Sequence, residues 1–232
     1  MVKIYADGAD LPSMKEAHSG GLVEGFTTNP TLMKIAGVSD YMGFATEVLS
    51  CIKDMPISFE VFSDDFDEMY AQAKKLSSLG DNVYVKIPVT NTESKFAGDL
   101  VKRLDEEGVK MNITAVFSIS QVKNILNCVG TDTPHIISVF AGRVADTGKD
   151  PLPLMKTALR LIKEHSNTLQ LLWASPREVF NVYQANEIGC DIITITNDLL
   201  RKLSLKEKDL EEYSLETVKM FYNDAKNAGY TL

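Results

Sequence analysis

Eight short runs of apolar and β-branched residues alternate with helix-like stretches along this chain, and that alternation restricts the fold more than any other feature. The pattern predicts strands over residues 2–7, 22–27, 57–61, 83–89, 109–115, 135–141, 169–174 and 191–196. Amphipathic segments lie between them. In 66–79, Phe66, Met69, Tyr70, Ala73 and Leu76 recur at helical spacing. Helix starts are marked by a capping residue before a first-turn proline in Asn29-Pro30, Asp150-Pro151 and Ser175-Pro176. Ser118-x-x-Gln121 and Ser175-x-x-Glu178 have capping-box spacing. Eight β–α units in 232 residues point to an α/β fold of the (β/α)8 TIM-barrel type. The sequence has no Gly-rich dinucleotide fingerprint or P-loop at a strand-to-helix turn, which weakens the doubly wound alternative. Residues 204–229 read as an additional C-terminal helix. Its Leu210, Tyr213, Val218, Phe221 and Tyr222 supply apolar surface beyond what a barrel needs. With no linker, fixed-period repeat or low-complexity tract, 1–232 reads as one domain.

A formal net charge of −8 argues against a nucleic-acid or anionic-membrane surface, because both call for excess Lys and Arg. An anionic ligand must then be held by a local cationic pocket. Cys51, Cys128 and Cys190 are far apart and form no C-x-x-C pair, so they read as reduced core thiols in a cytoplasmic protein. The chain opens without a signal-type stretch and contains no run long enough to span a bilayer. His18, His135 and His165 show no ligand spacing, and neither a metal nor a cofactor is expected.

Within the fourth predicted strand, Val83-Tyr84-Val85-Lys86-Ile87-Pro88-Val89, one lysine sits among apolar neighbours. Burial disfavours the charged form of a lysine and frees its amine as a nucleophile towards a carbonyl. Alternatively Lys86 snorkels to the surface or joins a structural ion pair. Side-chain alternation weighs on this choice. Lys86 and Tyr84 share one face of their strand, opposite Val83, Val85, Ile87 and Val89. In neighbouring strands Asp7, Glu60, Asn112, Thr114, Ser138 and Phe140 fall on the matching inward parity near the C-terminal ends, where barrel enzymes build their sites. A lysine, two acids and several amide or hydroxyl groups converging there fit chemistry better than packing.

Two features follow strand ends. In Phe140-Ala141-Gly142-Arg143 the glycine permits close approach of backbone and ligand. In Ser175-Pro176-Arg177-Glu178 a helix start with Ser and Arg forms a natural anion site. Ser175 and Asn29 are also good helix caps without any ligand, and Arg177 can be a surface arginine pairing with Glu178 or a neighbour.

The segments Phe26-Thr27-Thr28-Asn29-Pro30-Thr31, Val85-Lys86-Ile87-Pro88, Asn112-Ile113-Thr114-Ala115-Val116-Phe117-Ser118, Ser138-Val139-Phe140-Ala141-Gly142-Arg143 and Ala174-Ser175-Pro176-Arg177 resemble, in order, the motifs of the short transaldolases and fructose-6-phosphate aldolases. These are class I, Schiff-base aldolases on a (β/α)8 barrel. The resemblance implies that Lys86 forms the Schiff base, Asp7 is the acid/base for the substrate hydroxyl, and Glu60 with Thr114 holds a catalytic water. It assigns Thr28, Asn29, Asn112, Ser138 and Phe140 to substrate binding, and Arg143, Ser175 and Arg177 to a phosphate or sulfonate. Glu60 and Phe140 resemble transaldolase choices, since the fructose-6-phosphate aldolases carry Gln and Tyr there. Departures are Val139 for Pro, Pro176 for Phe, and Gly8 where Ser or Thr usually follows the acid.

The activity so implied is transfer of a dihydroxyacetone unit from a ketose 6-phosphate to an aldose, as in the pentose phosphate pathway. The alternatives are a sulfofructose donor, an aldolase releasing free dihydroxyacetone, and a non-catalytic sugar-phosphate binder. The implied partners are a small sugar phosphate or sulfo-sugar and other copies of the chain, since the family typically forms ring-based homo-oligomers, often decamers.

Overall fold

In the computed structural model, which describes residues 1–231, eight parallel strands close into a barrel in chain order, with the last strand pairing back onto the first. The strands are β1 (Lys3–Asp7), β2 (Gly25–Thr27), β3 (Ile57–Glu60), β4 (Val83–Pro88), β5 (Met111–Val116), β6 (Ile136–Val139), β7 (Gln170–Trp173) and β8 (Ile192–Thr196). Helix α1 (Leu11–Gly20) follows β1, α2 (Pro30–Ile35) and α3 (Tyr41–Cys51) follow β2, and α4 (Phe66–Ser77) follows β3. Next come α5 (Gly98–Glu106), α6 (Ile119–Leu126), α7 (Ala141–Asp146) and α8 (Leu152–His165). Helix α9 (Phe180–Glu187) follows β7, and α10 (Asn197–Lys202) follows β8. The fold is the expected (β/α)8 barrel.

Several strands start later than predicted, for local reasons. Leu22 lies exposed in the turn after α1. Val109 closes the end of α5 by donating its N–H to the Leu104 carbonyl, and so cannot open β5. Most expected helix starts hold. The Asn29 side chain accepts from Leu32 N–H at the start of α2, and Ser118 with Gln121 forms a full capping box on α6. The Ser175 box does not form. Ser175 has φ +59°, outside the extended backbone an N-cap needs, and α9 begins only at Phe180. The Asn181 Oδ1 atom accepts from the N–H groups of Arg177 (2.8 Å) and Glu178 (3.2 Å), so these two donors are already engaged.

Outward strand residues Phe59, Val85, Ile87, Ile113, Val139 and Trp173 are fully buried beneath the helices. On α4 the inner face is Met69, Ala73 and Leu76, while Tyr70 lies on the flank beneath Arg103 and donates to Glu107. Each large apolar side chain so buried contributes about 1.5–3 kcal/mol. Inside the barrel, Tyr5, Ile136, Leu172, Ala174 and Ile192 form an apolar plug with Tyr84 against it. Gly25 makes room for the plug, since a Cβ there would stand 2.6 Å from the Tyr5 ring. The next inward residue along each strand is polar on seven strands (Asp7, Thr27, Glu60, Lys86, Thr114, Ser138 and Thr194). The plug therefore leaves a polar mouth at the C-terminal ends.

By contacts, residues 1–200 form one compact unit and the chain from 201 onward a second. The second contains a 3-10 turn (Leu203–Leu205) and α11 (Leu210–Asn227), which buries no residue and exposes Leu210, Val218, Phe221 and Tyr222. Among the described residues, no helix is long and apolar enough to cross a membrane. Nor, among these residues, is any group of three or more His, Cys, Asp or Glu side chains placed to hold a metal ion. Of the three expected core thiols only Cys190 is buried; Cys128 is half-buried and Cys51 is exposed.

Candidate active site

Strand register assembles the centre of the mouth. Glu60 is the direct neighbour of Lys86 across β3–β4, and Lys86 of Asn112 across β4–β5. Lys86 is 7% exposed, and its Nζ lies 3.0 Å from Glu60 Oε2 and donates to the Thr28 carbonyl at 2.9 Å. Lys86 is thus both inward-facing and ion-paired. The pairing matches the structural reading, while its place on a cavity suits the catalytic one. The Glu60 carboxylate is positioned to take a proton from the amine.

Asp7 stands at the end of β1 and accepts from the Thr27 hydroxyl at 2.7 Å, and that hydroxyl also meets the one on Thr194. Burial, reinforced by the charge of Glu60, raises the Asp7 pKa above its usual value. The Lys86 charge and the Thr27 hydrogen bond pull the other way without cancelling it. A carboxyl held in this balance is suited to exchange protons with a substrate hydroxyl. Opposite it, Asn112 donates to Ser58 (3.0 Å) and accepts from Ser138 (2.6 Å), a chain that fixes the amide's orientation. Thr114 Oγ1 is buried and has no hydrogen-bond partner among the described residues. One extra residue in β5 after Ile113, with Ala115 at φ +59°, forms a bulge immediately after Thr114.

One cavity of about 90 Å3 gathers most of these groups. Its floor and sides include Asp7, Lys86, Asn112, Thr114 and Ser138. Asn29, Phe140, Arg143 and Ser175 form the rest of the expected lining. Asn29 lines it while also capping α2, so its two readings coexist. The Arg143 guanidinium lies 5.2 Å from the Phe140 ring centre. Glu60 and Thr28 stand behind this lining and reach it through Lys86; the Thr28 hydroxyl is taken up by the Ser58 carbonyl. Arg177 does not line the cavity. Its guanidinium is bound to the Asp146 carboxylate instead. Gly142 also differs from expectation: a Cβ there would lie 1.6 Å from the Ser175 carbonyl oxygen, so the glycine admits backbone rather than ligand.

Thr27 and Thr194 were missed as site residues, although Thr194 follows from applying strand parity to β8. Tyr41 gives no local signal. From α3 its hydroxyl accepts from Glu60 N–H (2.9 Å) and donates to the Glu60 carbonyl (2.7 Å), fixing the strand end that carries the carboxylate. Asp146 meets Arg177 from 31 positions away, again without a sequence signature.

Fold and site together define the class: a (β/α)8 barrel whose C-terminal mouth is organised around a buried lysine paired with a half-buried glutamate. Over residues 4–232 the chain matches the profile of the family described as Transaldolase/Fructose-6-phosphate aldolase, and it belongs to that family. A protein of Methanococcus vannielii named "Probable transaldolase" is 33% identical over 215 residues, covering 91% of this chain and 95% of the relative. Another of that name from Thermoplasma volcanium is 34% identical over 213 residues, covering 91% of each chain. Among solved structures, a putative phosphonomutase from Burkholderia cenocepacia aligns with a TM-score of 0.57 at 9% identity, covering 99% of this chain and 93% of that one. KGPDC from Streptococcus mutans aligns at 0.55 and 10%, covering 84% and 88%. At such identities the likeness is one of barrel fold alone.

Proposed function

We propose that this chain is a transaldolase that moves a dihydroxyacetone unit from a ketose 6-phosphate, of the fructose 6-phosphate type, to an aldose through a Schiff base on Lys86. The observation that carries this reading is the placement of Lys86: buried, on the cavity, 3.0 Å from a carboxylate that can accept its proton. The neutral amine adds to the C2 carbonyl, and loss of water leaves an iminium. Asp7 takes the C4 hydroxyl proton as the C3–C4 bond breaks; the bonding pair passes into the iminium to give an enamine, and an aldose leaves. The enamine then adds to the acceptor aldehyde, and Asp7 returns its proton to the new hydroxyl. Water held between Glu60 and Thr114 hydrolyses the final iminium. The unpartnered Thr114 hydroxyl supports that placement of the water. Phe140 presents a ring without a phenol beside the cavity, which slows protonation of the enamine and favours transfer over release. A ketose bearing a C6 sulfonate is the second donor, favoured by the engagement of Arg177 with Asp146 rather than with the cavity.

The test is intact mass after incubation with fructose 6-phosphate and borohydride, alongside Lys86→Met. A dihydroxyacetone-sized adduct that disappears in the variant is the expected result. Free dihydroxyacetone produced at full rate without an acceptor would make the enzyme a plain aldolase. No adduct with either the 6-phosphate or the 6-sulfonate sugar would sink the lysine mechanism in favour of a binding protein.

A further inference from the structure

Glu60 stands where the barrel's own hydrogen bonding runs out. Between β2 and β3 the parallel ladder joins Phe26 N–H to the Pro56 carbonyl at 2.8 Å and Thr28 N–H to the Ser58 carbonyl at 3.0 Å. Such rungs recur every second residue, so the next two would join Glu60 N–H to the Thr28 carbonyl and an N–H of residue 30 to the Glu60 carbonyl. Neither forms. The Thr28 carbonyl accepts from Lys86 Nζ at 2.9 Å, and Pro30 has no N–H to give. On its other edge β3 stays paired, Val61 N–H reaching the Lys86 carbonyl at 3.1 Å. The two backbone groups of Glu60 that face β2 are taken by a single atom instead. The Tyr41 hydroxyl accepts from the N–H at 2.9 Å and donates to the carbonyl at 2.7 Å. Tyr41 is held in turn. It is the first residue of α3, whose N-cap Asp40 accepts from Gly43 N–H at 2.9 Å, and its ring centre lies 5.3 Å from that of Phe62. Burial pushes the phenol's pKa up, which keeps the hydroxyl protonated and able to donate and accept together.

We propose that Tyr41 is a positioning residue for the imine steps: by replacing the missing rungs it holds the Glu60 carboxylate at the lysine nitrogen and leaves the Thr28 carbonyl free to orient that nitrogen. The inference rests on the Schiff-base reading and adds to it a residue of α3 that touches no substrate. While Lys86 carries its proton, the contact of 3.0 Å with Glu60 draws the carboxylate into place. Once that proton has passed to Glu60, both partners are neutral and the attraction between charges is gone. At that stage the amine adds to C2, one of its protons moves to the C2 oxygen, and Glu60 returns its own proton as the hydroxyl leaves as water. The position of the carboxyl group then depends on the backbone that carries it, and Tyr41 fixes the β2-facing edge of that backbone. Without the hydroxyl, Glu60 N–H is free to turn to the Thr28 carbonyl, which carries the carboxylate with it and competes with Lys86 for the same oxygen. A displacement of about 1 Å in such a group costs up to roughly a hundredfold in rate.

The experiment follows the borohydride-trapped adduct against time after rapid mixing with saturating fructose 6-phosphate, or with its 6-sulfonate counterpart where only that sugar traps. Wild type, Tyr41→Phe and Phe62→Leu are compared. Tyr41→Phe is expected to slow adduct formation about ten- to a hundredfold, with the half-saturating sugar concentration within about twofold of wild type. The adduct that forms should still be dihydroxyacetone-sized, because cleavage at Asp7 does not depend on Tyr41. Phe62→Leu removes the ring contact but keeps the hydroxyl, and should lower the melting temperature without slowing the adduct. A wild-type rate in Tyr41→Phe would overturn the inference and leave Tyr41 a structural support. Equal slowing in Phe62→Leu would overturn it by assigning the effect to packing, and build-up of a six-carbon adduct in Tyr41→Phe would do so by showing damage to the whole site. Should Tyr41→Phe not fold, a fluorinated tyrosine at position 41 keeps the ring and weakens the hydroxyl as an acceptor. It should slow the same step, and a wild-type rate there would overturn the inference equally. No adduct in the wild type with either sugar removes the Schiff-base reading and this inference with it, whereas a normal wild-type adduct with unaltered variant rates sinks this inference alone.

Discussion

Gly142→Ala tests how the proposed anion end, Arg143 and Ser175, is built. Gly142 is buried at the start of α7, where its N–H reaches the Ala174 carbonyl at 3.3 Å. A Cβ at this position would sit 1.6 Å from the Ser175 carbonyl oxygen and 2.6 Å from its carbon. Both obstacles are backbone, so no rotamer change relieves them. Extending 1.6 Å to the 3.0 Å that real Cβ atoms respect requires the two segments to separate by about 1.4 Å. That motion moves Arg143, next to Gly142 on α7, away from Ser175 on the loop after β7. The two sides of the expected anion site part while Lys86, on β4, stays in place. A misplacement of about 1 Å in a positioning group costs roughly a hundredfold in rate. Overpacking of a filled site costs about 1–3 kcal/mol of stability.

The expected outcome is therefore a KM for the anionic ketose raised about a hundredfold, against a smaller change in kcat. Borohydride trapping at Lys86 should still be reached at saturating sugar, and thermal unfolding should move down by several degrees. Steady-state kinetics beside a melting curve make the measurement. A Gly142→Ala enzyme with wild-type KM and an unmoved melting curve would refute the reasoning, since the backbone contact would then not hold Arg143 and Ser175 together.

Four further outcomes are expected. Thr114→Val keeps the shape but removes the hydroxyl assigned to the water; stability within about 1 kcal/mol of wild type, with imine formation at least tenfold slower by rapid-mixing trapping, is expected. Asp7→Asn still forms the imine but cannot accept the C4 proton, so the trapped adduct becomes the whole six-carbon sugar and turnover falls about 10²–10⁴-fold. In the wild type, activity should decline as pH falls through the raised Asp7 pKa, because the proposed step uses the carboxylate as base. His135 is fully buried, with Nε2 toward Asp105 and Nδ1 accepting from Met111 N–H, an arrangement of the neutral ring, and burial lowers its pKa. The unfolded chain then binds the extra proton first, so this contribution is complete above about pH 6.5 and lost as pH falls from there. Urea midpoints should decline over that window, and less steeply in His135→Gln.

What could be read in the sequence was whatever strand periodicity controls. A closed barrel gives each strand one inward face, so parity alone placed Asp7, Lys86, Asn112, Thr114 and Ser138 on a common cavity. The same rule extends to Thr194. Short-range capping was legible for the same reason: Asn29 and Ser118 reach donors only three residues away. Ser175 shows where that logic fails. Its spacing satisfies a capping box, but its backbone belongs to the close packing against Gly142, and tertiary contact overrode the local preference. The proposed anion end is shaped by pairings across long separations, Gly142 with Ser175 and Asp146 with Arg177, and no periodicity reports them. A pattern of arginine, serine and arginine therefore counts two positive charges, whereas the fold brings a carboxylate to them and makes the net charge one. It follows that the inward-facing groups of the cavity were readable one strand at a time, while the placing of Arg143, Ser175 and Arg177 depends on the contact between α7 and the loop after β7.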